Sequence, residues 1–194
     1  MPVIGLTGGM GAGKSTALKA LERLGAAVQS TDAVVHELYG GTTLRDAVIT
    51  RWGPEVAPGG EVDRAAVARR AFADEEGPAW LEGTIWPMVG ERISSWLQQT
   101  LALRPAPRAA VIEVPLLFEA GMEGMYDATI AVVASEELRE RRAASRGHAL
   151  TEERAARQLT QEEKAERATY VVENDGSEED LERELSGVLD KLGR

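Results

Sequence analysis

Cysteine is absent from the 194 residues, which excludes disulfides, thiolate metal sites and cysteine nucleophiles. Histidine is nearly absent too. His36 and His148 are too few and too far apart in sequence to suggest a metal centre, and a partner-bonded or surface histidine is the expectation for His36. Positive charge is also in deficit. With 22 Lys and Arg against 32 Asp and Glu, the formal charge of −10 argues against nonspecific binding to nucleic acid or anionic lipid. Any anionic ligand must therefore meet a local positive site. No run of about 18 apolar residues could span a bilayer, and the opening MPVIGLTGG lacks the basic start and continuous apolar stretch of a signal peptide. No internal repeat or low-complexity tract is present. A cytoplasmic protein without membrane or nucleic-acid partners, monomeric or a weak homo-oligomer, is expected. What is present, 43% hydrophobic and 28% charged residues, suits one domain with small insertions and a substantial core.

Val3–Thr7 is a short apolar run ending in glycines, and apolar positions at helical spacing follow from Ser15 to Leu24. Gly25 supplies a helix stop. Ala26–Val28 reads as a second strand, Ala33–Tyr39 as a helix and Gly40-Gly41 as its break. Between Pro54 and Pro107 the pattern is mostly helical, clearest at Arg64–Ala73 and Glu91–Leu103, with interruptions at Gly77-Pro78 and Trp86-Pro87. Ala109–Val114 and Ala128–Val133 have the near-continuous apolar character of strands buried on both faces, which implies an α/β architecture with a parallel sheet. Charged helices are predicted over Arg139–Arg146 and Thr151–Arg167, a last strand over Thr169–Val172, and a closing helix whose stripe is Leu181, Leu185, Leu189 and Leu192.

Gly8-Gly9-Met10-Gly11-Ala12-Gly13-Lys14-Ser15 matches G-x-x-x-x-G-K-[ST] in full, between a predicted strand and a predicted helix. Such a loop lets backbone N–H groups converge on phosphate oxygens at the positive end of a helix. ATP or GTP is the implied ligand. Lys14 is expected to reach the β- and γ-phosphates, Ser15 to ligate Mg²⁺, and Thr16 to support the phosphates from the first turn.

The phosphate loop leaves the acceptor open. Asp32, just past the second strand, either orients and deprotonates an attacking hydroxyl or caps the next helix. Glu113, within an apolar strand, needs a cation or donors if buried, and could stand behind Mg²⁺. Arg139, Arg141, Arg142 and Arg146 concentrate positive charge ahead of Gly147, as a mobile arm or as a solvated face balanced by Glu136, Glu137 and Glu140.

Gly5–Ser15, Ser30-Thr31-Asp32, Val114-Pro115-Leu116-Leu117-Phe118-Glu119, Arg142, Arg146, Gln161 and Val171–Gly176 resemble, in order and spacing, the dephospho-CoA kinases. The resemblance covers nearly the whole chain. It implies a P-loop NTPase-type three-layer fold with a central parallel sheet (about 1–53, 107–135 and 168–194), a helical substrate-binding insertion (about 54–106) and a helical lid (about 136–167). It implies ATP-dependent phosphorylation of the ribose 3′-hydroxyl of dephospho-CoA, with Asp32 as base and Lys14 and Arg142 assisting. Nucleotide contacts are implied at Gly9, Met10, Gly11, Ala12, Gly13, Lys14, Ser15, Thr16, Arg146, Asn174 and Gly176. Acceptor contacts are implied at Asp32, Pro115, Leu116, Leu117, Phe118 and Glu119, although Leu117 and Phe118 serve equally as core. Arg139 and Arg141 are then surface residues. Two departures stand out: Ser30 replaces the first carboxylate of the family's Asp-Ala-Asp, and Trp86-Pro87 stands where His-Pro is common. Trp86 is expected to pack in preference to stacking on substrate.

Two other readings remain. A nucleoside or nucleotide kinase would share these parts and differ in acceptor. A nucleotide-dependent switch is disfavoured for GTP because no Asn-Lys-x-Asp motif is present.

Overall fold

Five strands, β1 (Val3–Gly8), β2 (Ala27–Ser30), β3 (Ala110–Glu113), β4 (Ala128–Val133) and β5 (Tyr170–Glu173), form one all-parallel sheet in the order β2-β3-β1-β4-β5. The computed structural model describes residues 1–145 and 158–193. Helix α1 (Lys14–Arg23) crosses from β1 to β2 and packs with the last helix of the chain, Glu178–Leu192, over one face of the sheet. That face is apolar because Ile4, Leu6, Val111, Ile130, Val132 and Val172 alternate toward it, and Leu181, Leu185, Val188 and Leu189 meet them from the closing helix. On the opposite face Leu117 and Tyr126 crowd Gly5 so closely that a Cβ there would overlap both. Burial raises the Tyr126 phenol above its ordinary pKa.

The chain divides into two compact units: residues 1–30 with 99–194, which hold the sheet, and residues 31–98. The second unit comprises α2 (Thr31–Tyr39), α3 (Thr42–Trp52), α4 (Arg64–Phe72) and most of α5 (Gly77–Ala102). This compact unit starts at 31 because Val34, Leu38, Leu44 and Val48 share a core with Val67, Ile85 and Val89. Trp52 and Trp80 meet edge to face at 4.9 Å. Asp63 caps α4 through the backbone N–H groups of Ala65 and Ala66. Arg64 lies over the Tyr39 ring and places Nη1 2.8 Å from His36 Nδ1. Because arginine only donates, His36 Nδ1 is the acceptor in this contact.

Several predicted boundaries shift. Gly77-Pro78 opens α5 instead of interrupting it, since a proline in the first turn forfeits no intrahelical bond. Pro87 lies inside the 26-residue helix. Its cost is met by burial of Ile85 and Val89 on either side, and the carbonyl its ring crowds belongs to Gly83. The same periodicity turns Trp86 outward to 46% exposure, so the expectation that it packs is not met. Helix α6 (Glu136–Ser145) starts three residues before the predicted position. The predicted Thr151–Arg167 helix is not continuous: residues 158–160 are non-helical, and α7 (Gln161–Arg167) starts after a Thr160–Glu163 capping box. Residues 151–157 lie outside the described residues. The closing helix, hereafter α8 (Glu178–Leu192), keeps its leucine stripe and begins with a Ser177–Asp180 capping box. Among the described residues no helix is long and apolar enough to cross a membrane.

Candidate active site

The loop between β1 and α1 wraps because its glycines adopt backbone angles that side chains resist: Gly11 has φ 75° and Gly13 φ 95°. Gly13 is the N-cap of α1, no side chain caps that end, and no acid occupies the first turn. The first-turn amides point out of the positive end of the helix, where Thr16 N–H also donates to the Gly13 carbonyl at 3.0 Å. Lys14 folds back over the loop and donates from Nζ to the Gly8 carbonyl at 3.0 Å and the Gly9 carbonyl at 3.1 Å. Ser15 is exposed in the first turn, and Thr16 is half-buried.

A clamp from the far end of the sheet holds this loop. Asn174, 5% exposed after β5, donates from Nδ2 to the Ala12 carbonyl at 2.8 Å and from its backbone N–H to Val133. A Cβ on Gly13 would collide with that amide. Arg142 of α6 donates from Nη2 to the Asn174 carbonyl at 3.1 Å, with Nη1 close to Gly13. Ala12, Gly13, Arg142 and Asn174 are thereby brought together. Met10 is half-buried in the same loop, Gly176 is exposed ahead of α8, and Arg146 lies outside the described residues, as do Gly147 and His148.

Arg139 differs from expectation. Helix α6 puts residues 139 and 142 on one face, so Arg139 is half-buried with its guanidinium against Gly9 and its own backbone against Gly11. Arg141 faces away and pairs with Glu137 at 4.0 Å, as a surface residue should.

Ser30 and Glu113 end β2 and β3 in register with each other and with Leu6 of β1. In-register residues of parallel strands face the same way, so Ser30 and Glu113 share the face on which α1 lies. Glu113 is buried, at 9% exposure. Asp32 follows two residues after the end of β2 and is exposed. Helix α2 begins at Thr31, so Asp32 does not cap it; it is a first-turn residue. Among the described residues no group of three or more His, Cys, Asp or Glu could hold a metal ion alone.

The segment after β3 splits by burial. Pro115 and Leu116 are half-buried, whereas Leu117 and Phe118 are buried, Phe118 beneath the Arg167 guanidinium. Thr7 donates from Oγ1 to the Pro115 carbonyl. Glu119 Oε1 accepts from Lys164 Nζ at 3.0 Å and from the Leu159 backbone N–H at 2.9 Å. Lys164 is fully buried and also donates to the Pro115 carbonyl at 2.6 Å. Gln161 meanwhile donates to the Ala134 carbonyl and accepts from its N–H, so α7 is fastened to both β4 and the 115–119 segment. Sequence reasoning missed Lys164, which stands among Gln161-Glu162-Glu163 and Glu166-Arg167 like any residue of a solvated face.

Removing one member of a buried ion pair strands the other. Lys164→Met is therefore expected to lower stability by about 3–5 kcal/mol in urea unfolding, and Glu119→Gln added in that background to recover part of the loss.

The family model described as dephospho-CoA kinase matches residues 2–180. A dephospho-CoA kinase of Thermus thermophilus is 39% identical over 193 residues, covering 98% of this chain and 91% of that protein. The crystal structure of TT1252 from Thermus thermophilus is similar with a TM-score of 0.79 and 40% identity, covering 98% and 97% of the two chains. The structure of a dephospho-CoA kinase from Campylobacter jejuni, at 23% identity, shares the fold with a TM-score of 0.70 over 98% and 96%.

Proposed function

The chain belongs to the dephospho-CoA kinase family, and from that premise we propose that Lys14, Asp32 and Arg142 carry its reaction, transfer of the γ-phosphoryl of ATP to the ribose 3′-hydroxyl of dephospho-CoA, giving CoA and ADP. One observation supports this assignment most: the glycine loop with its uncapped helix, Lys14 folded over it and Asn174 and Arg142 closing it. The amides of residues 9–16 grip the phosphates, and Lys14 leaves its loop carbonyls for the β- and γ-oxygens. The 3′-oxygen attacks the γ-phosphorus in line as the bond to the β-bridging oxygen breaks. Asp32 takes the hydroxyl proton, and Arg142, with Arg146, offsets charge spread over the phosphoryl oxygens.

Mg²⁺ fits the residues present. An ion that keeps several waters and binds substrate phosphates needs few protein ligands, and the exposed Ser15 hydroxyl beside α1 offers one. When bound, the ion would neutralise charge on the β- and γ-oxygens. Ser30 and Glu113 are the nearby groups suited to hydrogen-bonding its waters. On the acceptor side, Pro115 and Leu116 present half-buried surface, Glu119 fixes their segment through Lys164, and Leu117 and Phe118 support it from beneath. Asn174 holds the loop, and the backbone at Gly176 approaches the adenine. The composition suits a cytoplasmic setting.

Incubating the protein with Mg·ATP tests the acceptor. ADP release should depend on dephospho-CoA. Stimulation by nucleoside monophosphates alone would assign it to nucleotide kinases, and slow GTP hydrolysis altered only by a protein partner would make it a switch.

A further inference from the structure

We infer that Arg139 is a further phosphate-contacting arginine beside Arg142 and Arg146, acting with Lys14 on the terminal phosphates of the nucleotide at the Gly9 end of the loop. This rests on the reading of that loop as the ATP site. Three observations carry it. The guanidinium lies against the loop: Nη1 is 3.3 Å from where a Gly9 Cβ would stand, and the Arg139 backbone abuts Gly11. The Arg139 Nε is buried yet has no hydrogen-bond acceptor among the described residues. Buried donors are rarely left so, and an anion at the loop would supply the missing acceptor. Third, Lys14 Nζ lies 3.1 Å from the Gly9 carbonyl, so two cations converge on one glycine.

Like charges brought together repel unless an anion joins them. Glu162 is one carboxylate that feels the Arg139 charge, held below its ordinary pKa first by its own backbone N–H, then by Thr160, Arg139 and Gln161. Glu162 is exposed, where a single ion pair is heavily screened, so it offsets only part of the charge. A triphosphate terminus brings several anionic oxygens to the same place. Gly9 allows the approach, since a Cβ there would stand 3.3 Å from Nη1 and make the guanidinium give by a few tenths of an ångström.

Calorimetry of Mg·ATP and Mg·ADP binding to the full chain, with steady-state kinetics, tests this. Arg139→Gln should weaken ATP binding roughly 10–100-fold, the usual worth of a hydrogen bond to a charged group, while ADP binding changes less than about twofold. Arg139→Lys should restore part of the ATP preference. Arg141→Gln, on the outer face, should behave as the parent protein. An unchanged ATP-to-ADP ratio in Arg139→Gln would overturn the inference, and so would equal losses for both nucleotides with a lower Tm, the mark of a packing role. If the parent protein failed to phosphorylate dephospho-CoA while Arg139→Gln still lost its ATP preference, the acceptor assignment would fall and this inference would stand.

Discussion

Lys14→Ala is expected to lower kcat/KM for ATP-dependent phosphorylation by roughly 10²–10³-fold or more, the usual cost of deleting a preorganised donor at developing charge. The ammonium already lies over the loop, bonded to the Gly8 and Gly9 carbonyls, so its reorientation to a phosphate is short. Lys14→Arg should rescue poorly, because the planar fork replaces a compact point charge in a loop shaped by glycines. Neither change should unfold the protein: Lys14 is only half-buried, and the Asn174–Ala12 bond that fixes the loop is untouched. Steady-state rates with a thermal melt for each variant check this, and a rate loss accompanied by an equal collapse in Tm would count against a chemical role.

Asp32→Asn should reduce kcat by roughly 10²–10⁴-fold, the range that a positioned general base contributes, while ATP affinity stays close to that of the parent. Asparagine keeps the size and hydrogen-bonding reach of the side chain but cannot take a proton. Since Asp32 is exposed and is not the cap of α2, its loss should cost little stability. Single-turnover rates separate chemistry from product release, and an unchanged single-turnover rate would remove Asp32 from the mechanism.

The parts of the fold legible in the sequence are those where one physical signal dominates. Ala128–Val133 is apolar at nearly every position, and the strand occupies those six residues. Leu181, Leu185 and Leu189 repeat every four residues, and α8 buries them. The phosphate loop was readable because glycines, Lys14 and Ser15 occupy fixed offsets between a strand and a helix.

What was not legible depended on tertiary partners. Lys164 has the local sequence of a solvated residue, and only the docking of α7 onto the Pro115 carbonyl and Glu119 makes its burial favourable. Pro87 reads as a breaker because local propensity cannot register the neighbours that hold α5 together. Asn174 could be placed after the last strand, but its bond to Ala12 joins residues 162 positions apart. Arg139 was legible in principle: its spacing of three from Arg142 put both on one helix face, a periodicity that the charged run obscured.

The measurement that bears most directly on the central claim is mass analysis of dephospho-CoA after incubation with the purified protein and Mg·ATP, followed by location of the added group on the ribose. A gain of one phosphate at the 3′-oxygen, absent with Lys14→Ala, is the predicted result. Dephospho-CoA recovered unchanged, while a nucleoside or nucleotide in the same mixture gains the phosphate, would contradict it.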